Sequence, residues 1–147
     1  MPGPGHSTTT VRRLRPGDTA VVLGASELFP TSPAPEWVSD LLSSSTALLY
    51  WATDSNGGAL GFLLASLLPL PDSVEVFVYE MGLAPAHPSG AGGNASASAA
   101  EISSALIDRA AAFAEDCACT RLWGVPRPGA SLYDEGGAQV SSLDIPL

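Results

Sequence analysis

The stretch Ser73-Val-Glu-Val-Phe-Val-Tyr-Glu-Met-Gly-Leu83, running into Ala84-Pro-Ala-His-Pro-Ser-Gly-Ala-Gly-Gly93, decides the fold. Val74, Val76 and Val78 alternate with Glu75, Phe77 and Tyr79, the period of two that marks a strand, before the run turns apolar. The residues from Ala84 to Gly93 are a loop of small side chains. The segment after it, Ala95 to Cys117, sets Ala95, Ala99, Ile102, Leu106, Ala110, Phe113 and Cys117 on one stripe, the pattern of an amphipathic helix. A strand, a glycine loop and a helix in this order can hold an anion. Amide groups at the helix N-terminus donate to it, and glycine lets it come close. Two helix starts are open. With Asn94 as cap, Gly92 and Gly93 lie at the helix N-terminus; Ser98-Ala-Ala-Glu101 reads as a capping box and places the glycines several residues away.

Upstream, Ala47 to Thr53 and Ala59 to Leu70 are apolar runs joined by Asp54-Ser-Asn-Gly-Gly58, which predicts an antiparallel hairpin because Asn-Gly accepts positive φ. Glu36 to Leu42 carries Trp37, Val38, Leu41 and Leu42 at helical spacing, and Phe29 to Pro35, with three prolines, is a loop. Ser7 to Leu14 reads as a first strand, and Asp18 caps a helix reaching about Leu28. Downstream, Arg121 to Val125 is a strand, Pro128 to Glu135 a short helix containing Tyr133, and Gln139 to Ile145 a last strand. Residues 1–10 are expected to be a flexible tail and the start of the first strand, and residues 11–147 one domain of ordinary size.

Charge narrows the partners. The chain has no lysine, only six arginines, and a net charge of −9, so nucleic acid and anionic membranes, both held through Lys and Arg, are poor partners. A small cationic ligand suits this surface better. Cys117 and Cys119 are too few and too close for a disulfide framework, and nothing accompanies them at metal-ligand spacing, so no metal is expected. Met1 to His6 lacks the basic and apolar regions of a signal peptide, and no apolar run reaches the roughly 18 residues that span a bilayer. A cytoplasmic protein is expected. A homodimer is left open.

Four stretches carry a resemblance: Trp37 to Leu42 with Ala47 to Thr53, Gly61 to Leu70, Val76 to Leu83, and Ser131-Leu-Tyr133 with Gly136 or Gly137. Together they resemble the GNAT N-acetyltransferase superfamily, and within it the aminoglycoside 3-N-acetyltransferases that modify gentamicin. The resemblance implies an α/β fold with a mixed, mostly antiparallel sheet flanked by helices. It also implies acetyl-CoA as co-substrate, its pantetheine pairing with Met81, Gly82 and Leu83 and its pyrophosphate on the loop around His87, Gly90, Gly92, Gly93 and Asn94. The loop departs from the family pattern, since His87 stands where that pattern has Arg or Gln. Losing a charge-assisted phosphate contact costs about 1.5–3 kcal/mol.

The resemblance implies further that Glu80 is the base that takes the amine proton and Tyr133 the acid that protonates the departing thiolate. The amide of Met81 or Leu83 could polarise the acetyl carbonyl. The expected activity is direct acetyl transfer to an amine, with an aminoglycoside-like polycation as the preferred class. The alternative is a GNAT domain that has lost catalysis and serves as a binding or interaction module, which the altered loop favours.

Overall fold

The computed structural model describes residues 9–85 and 97–147. Its first strand, β1 (Thr10–Arg13), leads into a short helix, α1 (Thr19–Leu23), a 3-10 turn at Ser26–Leu28, and α2 (Pro35–Ser43). Three antiparallel strands follow: β2 (Ala47–Thr53), β3 (Ala59–Pro69) and β4 (Val74–Leu83). A long helix, α3 (Ala99–Asp116), precedes β5 (Arg121–Gly124), β6 (Leu132–Tyr133), β7 (Gln139–Val140) and β8 (Leu143–Pro146). The main sheet runs β1-β2-β3-β4-β5-β8, antiparallel except where β4 and β5 pair in parallel, while β6 and β7 form a separate hairpin.

Both faces of the sheet are covered, which is why its central strands are apolar without alternation. On one face Leu48, Tyr50, Leu63, Val76 and Val78 meet Ile102, Leu106, Ile107, Ala110 and Ala114 of α3. Full burial of Leu106 and Ile107 is worth about 1.5–3 kcal/mol each. On the other face Leu49, Trp51, Phe62 and Leu64 meet Val22, Leu28, Phe29, Val38 and Leu42, and the Phe29 and Phe62 rings stack 4.2 Å apart. Of the tryptophans Trp51 is buried, Trp123 is half-buried, and Trp37 faces outward from α2.

Three sequence expectations are corrected. The first helix stops at Leu23, with a 3-10 turn completing the path to Leu28. No helix forms over 128–135: Pro128 is followed by Gly129 in the left-handed region (φ 84°), and the chain then extends into β6. The expected last strand divides into β7 and β8, because Asp134 builds the turn that pairs β6 with β7. Its Oδ1 accepts the amides of Gly136 and Ala138 at 2.9 and 3.0 Å. The start of α3 falls at Ser98, whose Oγ accepts the Glu101 amide at 3.1 Å.

Candidate active site

The site begins with a bulge. Leu64 of β3 pairs with Glu80 and Ala65 with Val78, so Tyr79 is an extra residue in β4. A bulge bends a strand and increases its twist. Beyond it β4 leaves β5: their parallel pairing covers only Val76 with Leu122 and Phe77 with Trp123. Gly124 closes that pairing, and a Cβ there would collide with the Val78 carbonyl.

Glu80, directly after the bulge, is 1 % exposed. Its Oε1 accepts from Arg127 Nε at 2.8 Å, while Oε2 is buried without a hydrogen-bond partner. Arg127 is 47 % exposed at its side chain, and its amide donates to the Tyr79 carbonyl at 3.1 Å. The Tyr79 phenol is pushed up, first by burial and then by the neighbouring Glu80 charge, with Arg127 opposing.

Met81 is buried in the cluster under α3, and its amide donates to the Ser131 carbonyl at 2.8 Å in a lone antiparallel bridge. Gly82 has no room for a side chain, since a Cβ would lie 2.5 Å from the Leu28 carbonyl and collide with the Phe62 ring. Leu83 pairs with Gly61 and is half-buried. By the alternation of the strand, its amide faces the same edge as that of Met81.

Tyr133 lies in β6 opposite Gln139 and packs, partly buried, on the cluster that contains Met81. Among the described residues no hydrogen bond joins it to Glu80. His87, Gly90, Gly92, Gly93 and Asn94 lie outside the described residues. With Ser98 as cap, residues 94–97 separate Gly93 from the start of α3. The first turn of α3 is met by the β6–β7 turn: a Cβ on Gly137 would lie 2.6 Å from the Ala100 nitrogen.

Arg127 escaped the sequence reading of the site. Its signal was local, a cation held between Pro126 and Pro128 in a chain with no other cation after Arg121. A separate open cleft of about 390 Å³ is lined by Asp134, Glu135, Gly136, Ser142, Leu143, Asp144 and Ile145, and neither Glu80 nor Met81 borders it. Among the described residues no group of three or more His, Cys, Asp or Glu could hold a metal, and no helix is long and apolar enough to cross a membrane.

No family model matches the chain, and no curated protein matches it by sequence. Its structure is similar to that of an aminoglycoside acetyltransferase from an uncultured soil metagenomic sample, with a TM-score of 0.62 and 18 % identity over 82 % of this chain and 79 % of that one. It is similar also to the ribosomal-protein-alanine N-acetyltransferase of Brucella melitensis biovar Abortus 2308, with a TM-score of 0.63 and 20 % identity over 82 % of each chain. Arabidopsis thaliana NAA60, solved in complex with acetyl-CoA, gives a TM-score of 0.56 at 14 % identity over 80 % of this chain and 74 % of that one. At these identities the likeness defines the fold. It is the GNAT acetyltransferase fold, an α/β architecture with a mixed, mostly antiparallel sheet flanked by helices.

Proposed function

We propose that this chain is an acetyl-CoA-dependent N-acetyltransferase acting on a cationic amine. The observation that carries the reading is Glu80: a carboxylate buried just past the β4 bulge, with Oε2 unpartnered, beside the Met81 amide on a GNAT scaffold. A buried acceptor without a donor is costly, and a substrate ammonium supplies the missing N–H. In the reaction the amine passes a proton to Glu80, and its nitrogen bonds to the acetyl carbonyl carbon. The Met81 amide stabilises the oxygen as the C–S bond breaks. The sulfur leaves with a proton from Tyr133, and the second proton that the nitrogen sheds as the amide forms restores that phenol. Met81, Gly82 and Leu83 hold pantetheine along the β4 edge, and the His87 to Asn94 loop receives the pyrophosphate. The domain spans 11–147, and a homodimer remains compatible with this site.

The substrate class is an aminoglycoside-like polycation, supported by the net charge of −9 and the absence of lysine. Gentamicin and other aminoglycosides with a free 3-amino group, the class to which the sequence resemblance points, are the first panel to test.

A second reading, a GNAT domain without catalysis that serves as a binding module, is favoured by two observations. The Met81 amide is already paired with Ser131, and α3 is capped at Ser98, away from the glycines. Thermal unfolding with acetyl-CoA and with desulfo-CoA separates the two. A ligand at 100 times its Kd adds about 2.7 kcal/mol to the folded state, which raises the midpoint. No shift with either compound leaves the binding module.

A further inference from the structure

The segment from Arg127 to Ser131 meets the β4 edge at three points. The Arg127 guanidinium sits on Glu80 Oε1 at 2.8 Å, the Arg127 amide on the Tyr79 carbonyl at 3.1 Å, and the Ser131 carbonyl on the Met81 amide at 2.8 Å. The first is a cation on the candidate base, and the last is a carbonyl on the candidate oxyanion donor. An amine would likewise bring a cation to the Glu80 carboxylate, and a thioester a carbonyl oxygen to the Met81 amide. We propose that residues 127–131 form a self-inhibitory strap that occupies both half-sites and is displaced when acetyl-CoA and amine bind. This inference rests on the acetyltransferase reading above.

The strap is built to move as a unit. Pro126 and Pro128 fix the backbone on either side of Arg127, and Gly129, with φ 84° and no atom within 4 Å of a Cβ, supplies a turn free of packing. The Ala130 amide closes that turn onto the Arg127 carbonyl at 3.0 Å. Arg127 is half-exposed whereas Glu80 is 1 % exposed, so the pair opens from the Arg127 side, and a carboxylate left there needs another cation in its place. Glu80 uses one oxygen only: Arg127 Nη1 turns to the Pro128 carbonyl at 3.4 Å, and Oε2 keeps no partner. The closed strap therefore satisfies the site incompletely, and a ligand that fills both oxygens competes with it.

A closed fraction of nine in ten would weaken apparent affinity about tenfold, because binding must first draw on the open state. The test is calorimetric titration of wild type and Arg127→Ala with acetyl-CoA and with gentamicin as the amine probe, with hydrogen exchange at the Met81 amide read in the free proteins. Expected are a Met81 amide protected in wild type and faster in Arg127→Ala, and about tenfold tighter binding of both ligands by the variant. Equal or weaker binding by Arg127→Ala, or an unprotected Met81 amide in wild type, overturns the strap alone. Failure of both proteins to bind acetyl-CoA overturns the acetyltransferase reading and the strap with it. Should Arg127→Ala not fold, Arg127→Gln carries the same comparison, and the wild-type exchange rate stands by itself.

Discussion

Gly137, in a left-handed conformation (φ 80°), faces the backbone of Ala99 and Ala100 so closely that a Cβ on it would lie 2.6 Å from the Ala100 nitrogen. The β6–β7 turn and the first turn of α3 are thereby in direct backbone contact, and the Ser103 hydroxyl secures the junction by donating to the Asp134 carbonyl at 2.6 Å. Gly137→Ala is expected to cost about 2–3 kcal/mol, part from the left-handed backbone and part from overpacking. Gly129→Ala shares the backbone conformation (φ 84°) but meets nothing, so it isolates the first part at about 1 kcal/mol. Urea unfolding of the two variants measures the difference; equal losses would mean that the contact with α3 contributes nothing.

If Glu80 takes the amine proton, Glu80→Gln keeps the volume and one hydrogen bond to Arg127 but removes the base. A fall of about 10²–10⁴ in kcat is expected. Tyr133→Phe removes only the phenol proton, which water can replace, and should leave more activity than Glu80→Gln. Steady-state rates with a gentamicin panel decide this. Activity in Glu80→Gln within a factor of a few of wild type would rule out Glu80 as the base.

Much of the architecture was legible because it is written in periodicity. The Val74/Val76/Val78 alternation, the Asn56-Gly57 hairpin and the α3 stripe each point to one local structure, and β2, β3, β4 and α3 follow them to within a few residues at their ends. The segment over 128–135 was misread because Leu132 and Tyr133 fit a helical face as well as a strand, and the decisive residues are Gly129 and the Asp134-to-Ala138 turn. The bulge at Tyr79 left no mark in the sequence, since its alternation is correct up to the residue that breaks register. Arg127 is 47 residues from Glu80, a contact that only the topology creates. His87 and the glycines that follow it remain sequence expectations.

Asp18 links β1 to the turn before α1, accepting from Arg12 at 3.1 Å and from the Arg15 amide at 2.8 Å. The Arg12 hydrogen bond, then the Arg15 amide, hold its carboxyl below the ordinary range, with burial opposing them. A carboxyl with a lowered folded pKa binds its proton more readily when unfolded. Its stabilisation is therefore present above the unfolded value, near 3.9, and fades as pH falls through the lower folded value. Asp18→Asn should cost about 0.5–1 kcal/mol at neutral pH, since the pair is largely solvated, and the difference from wild type should shrink below about pH 4. Chemical denaturation at several pH values tests the sign; a gap that widens with acid would contradict it.

Gly82 ties the sheet to the helical layer at the place where the site is built. Its missing side chain is what lets the Leu28 carbonyl approach, because a Cβ would stand 2.5 Å from that oxygen and inside the Phe62 ring. The obstacle is backbone on one side and, on the other, a fully buried ring stacked on Phe29, so neither can yield at low cost. Gly82→Ala is therefore expected to destabilise by about 1–3 kcal/mol and to displace the Ser26–Leu28 turn from β4. Because β4 would be pushed at the residue between Met81 and Leu83, any acetyl-CoA stabilisation seen in wild type should fall in the variant by more than the loss of folding stability explains. Titrating the thermal midpoint of both proteins with acetyl-CoA measures that. A variant that is destabilised but keeps the full ligand-induced rise would place the cofactor away from this edge of β4.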